Sequence, residues 1–314
     1  MQIKTIENIL RNKLNDWLKT IDDEDLRTKL RGEILVSGGC IVSMLLKEKV
    51  NDFDIYIKNR GILKKLVEYY VKDYKTNIKI FDAKDREMLI QNVGIKNFSE
   101  LDSDDKLFGE KVSIRTLKED QIKLFMTSGR GGFKPNPKKE DLTKKYQPAF
   151  FSPNAISLTD DIQIVIRFHG NNEEIHKTFD FIHATNYFTF ADGLVTNKDA
   201  LESIITKQLF YQGSLYPLTS IIRMKKFIKR NWNISAGEIL KIMFQISTLN
   251  LTNVDVLEEQ LIGVDIAYFS ALISVLRKKK FEKIDSKNLN ILIDNVFNSS
   301  FEKEDTNVKE GEIK

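Results

Sequence analysis

Apolar residues recur three and four apart across residues 3–21 (Ile3, Ile6, Ile9, Leu10, Leu14, Trp17, Leu18 and Ile21), which predicts an amphipathic helix. A shorter helix is predicted over 24–31. The period then changes. Residues 33–37 (Glu-Ile-Leu-Val-Ser) are β-prone and stop at Gly38-Gly39. Residues 41–48 return to helical spacing through Ile41, Met44 and Leu45, with Lys47 and Glu48 turned to solvent. The stretch from Asn51 to Tyr56 alternates and predicts a second strand. A helix at 62–73 and strands at 77–82, 111–117, 154–158, 162–168 and 177–182 follow, and 162–168 is too apolar for an exposed edge. From about residue 197 the strand signals end, and helices are predicted at 198–210, 217–231, 235–247, 262–279 and 285–298. The expected class is therefore α/β (α+β). N-terminal helices over 1–32 pack on a mixed sheet over 33–195, an all-helical domain covers 196–300, and 301–314 form a disordered polar tail.

Composition narrows the chemistry. With 41% hydrophobic and 30% charged residues the chain can bury a core, and neither a membrane span nor a signal peptide is read in it. Cys40 is the single cysteine and there are three histidines, so an internal disulfide and a zinc cluster are excluded. A reducing, cytoplasmic setting follows, and any metal must be a hard ion on carboxylates, Mg²⁺ or Mn²⁺. A net charge of +4 is too mild to imply nucleic-acid binding, so the placement of charge matters more. Residues 127–148 hold three of the five prolines together with Arg130, Lys134, Lys138, Lys139, Lys144 and Lys145. They read either as a basic arm on phosphates or as a solvated loop, and no Gly-Lys-Ser/Thr makes Ser-Gly-Arg-Gly-Gly a Walker loop. The acidic run at 100–105 reads as a solvated loop, because consecutive acids do not share a face.

The chemistry-bearing stretch is Ser37-Gly38-Gly39 with the helix after it and Asp52-Phe53-Asp54 beyond. A glycine pair opening onto a helix offers backbone N–H groups and a positive dipole end to a phosphate. Asp52 and Asp54, two apart on a strand, point to one face, and a divalent cation is the simplest way to compensate their repulsion. This strand–Gly-Gly–helix–Asp-x-Asp order resembles the polymerase-β-type nucleotidyltransferase superfamily. The resemblance implies a palm-like mixed sheet and two Mg²⁺ or Mn²⁺ ions on Asp52, Asp54 and a third acid. It also implies that Gly38, Gly39 and Ser43 hold the phosphates of a nucleoside triphosphate.

Asp180, an acid in an apolar segment, is the third-carboxylate candidate, with Asp192 as alternative; the 125 intervening residues imply an inserted subdomain. His183 has the opposite strand parity to Asp180 and reads as structural, and Phe179, Phe181, Tyr187, Phe188 and Phe190 read as core. On the helix at 217–231, Arg223, Lys226 and Arg230 share a face. By resemblance to poly(A)-polymerase and CCA-adding enzymes, Arg223 and Lys226 would meet triphosphate and Arg230 a primer; a solvated basic face is the other reading. The run Glu173–Tyr187 is similar to nucleotidyltransferase-like proteins of large tailed bacteriophages, which implies a host-cytoplasmic or virion setting and association with other phage proteins. The expected activity is transfer of a nucleoside monophosphate to a hydroxyl, on an RNA 3′-end or a protein, with release of pyrophosphate. The alternatives are a phage structural or cargo pseudoenzyme, a toxin-type transferase acting on host tRNA or protein, and a nucleic-acid-binding module.

Overall fold

The computed structural model describes residues 2–82, 106–107, 110–111, 121–126, 132–136, 144–253, 256–257 and 260. The chain divides into two compact units, Met1–Gln212 and Gly213–Lys314. In the first, helices α1 (Ile3–Lys19) and α2 (Glu24–Glu33) precede strand β1 (Ile34–Ser37), helix α3 (Gly39–Leu46), strand β2 (Phe53–Ile57) and helix α4 (Arg60–Val71). Asp23 and Asn59 cap α2 and α4, accepting from the amides of Leu26 and Ile62.

Strands β3 (Ile78–Asp82), β4 (Lys106–Leu107), β5 (Glu110–Lys111) and β6 (Ile122–Met126) come next. They are followed by β7 (Pro148–Phe151), β8 (Ala155–Leu158), β9 (Ile162–Val165), the short helix α5 (Asn172–His176), β10 (Tyr187–Thr189), β11 (Gly193–Val195) and helix α6 (Lys198–Thr206). Seven strands form one mixed sheet in the order β11-β10-β1-β2-β9-β8-β7. Only β2 and β9 run parallel in it, with Phe53 opposite Ile162 and Asp54 opposite Gln163. The long connection between them supplies β7 and β8 to the sheet and a separate antiparallel ribbon of β3 with β6. Asp82 fixes the ribbon to α4 through ion pairs with Arg60 and Lys64.

Alternation along the strands sorts the two faces of the sheet. Ile34, Val36, Phe53, Ile55, Ile57, Ile162 and Ile164 join the main core with the apolar stripes of α1 to α4. The other face carries Leu35 and Tyr56, and the cover there is small: Ile175 of α5 with Phe179, Phe168 and Tyr187. Helices thus bury one face of the sheet, and among the described residues of this unit the segment around α5 packs on the other.

The mixed α/β architecture agrees with the sequence reading. Strand 162–168 is shorter than expected, but it lies inside the sheet between β2 and β8, where its apolar character belongs. The strand expected at 177–182 does not form. The capping box of Asn171 and Glu174 starts α5 instead, and the amides of Lys177, Thr178 and Phe179 bond back to Glu173, Ile175 and His176. Local bonds therefore take the donors a strand would need, and only Phe181 makes a bridge, to Tyr211. Strands β6, β7, β10 and β11 are too short, or too mixed in pattern, to have been read from sequence.

In the second unit, α7 (Pro217–Lys229) starts on proline and α8 (Ala236–Ser247) is capped by Ser235, close to the expected 217–231 and 235–247. Phe227 and Trp232 pack with ring centroids 5.1 Å apart beside α7. The readings at 100–105, 112–117, 262–279, 285–298 and 301–314, and much of 127–148, lie outside the described residues. No helix among the described residues is long and apolar enough to cross a membrane.

The core contains one polar link that a single change tests. The buried Trp17 indole N–H donates to the Tyr70 hydroxyl at 2.8 Å, joining α1 to α4. Tyr70→Phe leaves that donor buried without an acceptor, and a loss of about 1–3 kcal/mol in urea unfolding is expected.

Candidate site at the glycine turn

Strand β1 ends at Ser37 and the chain turns at Gly38 with φ +92°, a conformation that a side chain disfavours. Helix α3 then starts at Gly39, two residues earlier than the periodicity suggested. A Cβ built on Gly38 would stand 3.6 Å from Asp54 Oδ2, so the bare backbone and this carboxylate are neighbours. At Gly39 a Cβ would meet nothing within 4 Å, and Ser43 lies one turn further along α3, nearly buried. Sequence reasoning placed the glycine pair and the acids in order along the chain; the structure brings Gly38 and Asp54 together in space.

The Gly38 N–H itself is occupied, donating to the Ala184 carbonyl at 3.1 Å. A phosphate at this turn would therefore meet the amides that open α3, from Gly39 onward, where every helix leaves donors without an intrahelical acceptor. Asp54 is half-buried and Asp52 is exposed. Burial, then the Asp54 carboxylate and more weakly Asp52, push the Cys40 thiol well above its usual range. Cys40 is thus a buried, protonated packing residue.

The segment after α5 forms the other wall of the turn. The Ser37 hydroxyl bonds the Asn186 carbonyl at 2.8 Å and lies 2.9 Å from His176 Nε2. This hub, absent from the sequence reading, links β1, α5 and the start of β10; a serine closing a strand beside a glycine pair was its only signal. Asp180 is buried on the bend between α5 and a 3₁₀ turn at Ile182–Ala184, where its carbonyl accepts from the Gln212 amide at 3.0 Å. Among the described residues no three His, Cys, Asp or Glu side chains are grouped so as to hold a metal ion. Asp52, Asp54 and Asp180 accordingly do not form a three-carboxylate group here.

Asp192 accepts from the Thr189 hydroxyl at 2.9 Å and so serves the β10–β11 turn. His183 is buried and stacked on Phe181, in the structural role expected of it. Arg223 and Lys226 are half-buried on α7 in the second unit, and the Arg230 guanidinium lies 5.3 Å from the Phe227 ring centre.

Two carboxylates beside a helix start fit a hard divalent cation that shares phosphate oxygens with its ligand, since Mg²⁺ typically uses one or two protein carboxylates in such sites. The oxygen-only donor set matches Mg²⁺ or Mn²⁺ and not zinc.

Gly38→Ala forces a side chain into the φ +92° conformation, and a stability loss of about 1–2 kcal/mol is expected by thermal or urea unfolding. His176 gives a pH signature. Burial lowers its imidazole from 6.5 to about 4. Above about pH 6.5 the ring is neutral in both folded and unfolded chains, so this part of the stability is complete. As the pH falls from 6.5 toward 4 the unfolded chain takes the proton first and stability declines. His176→Gln, which keeps a polar partner for Ser37 without titrating, should flatten that decline in urea midpoints measured across the window.

The model of Gad2, described as the Gabija anti-defense 2 family protein, matches residues 8–207. No curated protein matches the chain. Among solved structures, the chain is similar to the Thermotoga maritima CCA-adding enzyme complexed with tRNA, at 15% identity and TM-score 0.35, covering 85% of this chain and 53% of that one. A tRNA-processing enzyme in its apo form I aligns at 12% identity and TM-score 0.38 over 89% and 59% of the two chains. The chain thus spans little more than half the length of these structures, and likenesses this distant give no residue-by-residue correspondence. The family match covers more than half of the 314 residues: the chain belongs to the Gabija anti-defense 2 family.

Proposed function

We propose that the chain is a metal-dependent nucleotidyltransferase that moves a nucleoside monophosphate from a nucleoside triphosphate to a hydroxyl, on an RNA 3′-end or a protein, and releases pyrophosphate. The observation that carries this reading is the approach of the Asp54 carboxylate to the Gly38 turn, 3.6 Å from a Cβ built there. It sets Asp54, one carboxylate of the proposed pair, beside a helix start whose amides suit phosphate.

In the transfer the acceptor oxygen bonds to the α-phosphorus and the bond from that phosphorus to the bridging oxygen breaks. The hydroxyl proton passes to solvent and pyrophosphate departs. In this reading the amides opening α3 and the Ser43 hydroxyl orient the terminal phosphates, and Asp52 and Asp54 hold Mg²⁺ or Mn²⁺. When bound, the ions offset triphosphate charge and lower the pKa of the attacking hydroxyl. The family's name states a role against a defence called Gabija. Nucleotidylation of a component of that defence is how this site would serve the role, in keeping with the phage resemblance of Glu173–Tyr187.

A second reading, nucleotide binding without transfer, draws on the fact that no three-acid group is assembled among the described residues. Incubation with α-labelled nucleoside triphosphates, Mg²⁺ or Mn²⁺, RNA and cell protein separates the two. The wild type is expected to transfer label, and Asp52→Asn/Asp54→Asn to reduce transfer by about a hundredfold or more. Binding without transfer by the wild type would select the second reading, and equal labelling by wild type and double variant would sink the first.

A further inference from the structure

A cavity of 670 Å³ opens where the C-terminal ends of α1 and α4 meet the approach to β7. It lies on the opposite side of the sheet from Asp54: two of its walls, Tyr70 and Tyr146, belong to the core built on Phe53 and Ile55. Its volume is that of a small-ligand site.

Four phenol rings line it, Tyr69, Tyr70, Tyr74 and Tyr146, together with Lys72, Lys144 and Lys145. The aromatic wall is braced. Tyr69 and Tyr70 meet edge to face at 5.2 Å, and Tyr74 lies 5.2 Å from Phe151 and 5.8 Å from Phe133. The Lys72 ammonium sits 4.4 Å from the Tyr69 ring centre, so cation and ring already share one edge of the cavity. Asp22 and Asp73 also line it, leaving the three lysines in excess, and the amides of Asn136 and Gln147 add groups able to pair with the edge of a base.

Tyr146 is the second observation. It adopts φ +58°, a left-handed conformation rare for a bulky residue, and its amide donates to Asp160 Oδ2 at 3.4 Å. Such strain persists only where the surroundings hold it and clusters at ligand sites. Here it seats the Tyr146 ring in the core and leaves Lys144 and Lys145 exposed at the cavity.

We propose that this cavity binds a nucleoside phosphate, free or as the end of a nucleic-acid strand, with the base against the tyrosine wall and the phosphate held by Lys72, Lys144 and Lys145. Stacking on aromatic rings beside lysines is sequence-tolerant and salt-sensitive. The site is independent of the glycine turn, and its test keeps the two apart.

Fluorescence polarisation with labelled adenosine monophosphate and with a labelled short single-stranded RNA is read for the full chain and three variants. Lys72→Glu/Lys145→Glu should weaken binding about tenfold or more and flatten its salt dependence, with unchanged circular dichroism. Tyr74→Leu, which keeps an apolar side chain in place, should weaken it as well, whereas Asp54→Asn should leave the tighter-binding probe unaffected. Binding of the mononucleotide in competition with RNA would identify a free nucleotide as the ligand, and binding of RNA alone would identify a strand end. Full affinity in the charge-reversed variant, loss of all binding in Asp54→Asn, or no binding of either probe by the wild type would overturn the proposal.

Discussion

The turn at Gly38 is the constraint on which the candidate site depends. Strand β1 arrives buried, the chain must reverse into α3, and the Asp54 carboxylate stands where a side chain on residue 38 would lean. Glycine allows that reversal at φ +92°. The Ala184 carbonyl holds the Gly38 amide, and the Ser37 hydroxyl ties the same turn to α5 and β10. The start of α3 and the segment from α5 to β10 are thereby tied to the turn by neighbouring bonds.

The two faces of the sheet divide the work. One carries the main core, with helices α1 to α4 packed on Phe53, Ile55 and their neighbours. The other carries Asp54 under a small cover of Ile175, Phe179, Phe168 and Tyr187. Apolar burial on the first face supplies the dominant favourable term in folding, which lets the second face tolerate like charges near one another. The tyrosine-lined cavity belongs to the helix-covered side, at the ends of α1 and α4.

Features with a strong local pattern were legible in the sequence. The stripe of α1 and the interior position of β9 follow from spacing and composition, because those choices are made within a few residues; the approach of Asp54 to Gly38 is seen only in the structure. Other features depend on competition between local and distant bonds. The apolar run around Asp180 looks like a strand, yet the Asn171 capping box starts a helix upstream and local turns use up its amides. The Ser37–His176 contact joins residues 139 apart, and no local pattern announces it. Strands such as β10 and β11, three residues each, are defined by their partners and not by their own composition.

The central claim is that Asp54 and the start of α3 act together on one phosphate-bound cation. Electron paramagnetic resonance of Mn²⁺ titrated into the protein, with and without a non-hydrolysable nucleoside triphosphate, tests it most directly. The account predicts Mn²⁺ held tightly only when the nucleotide is present, and released when Asp54 is replaced by asparagine. Mn²⁺ that stays free in the presence of nucleotide, or that binds equally well to the Asp54→Asn protein, would contradict it.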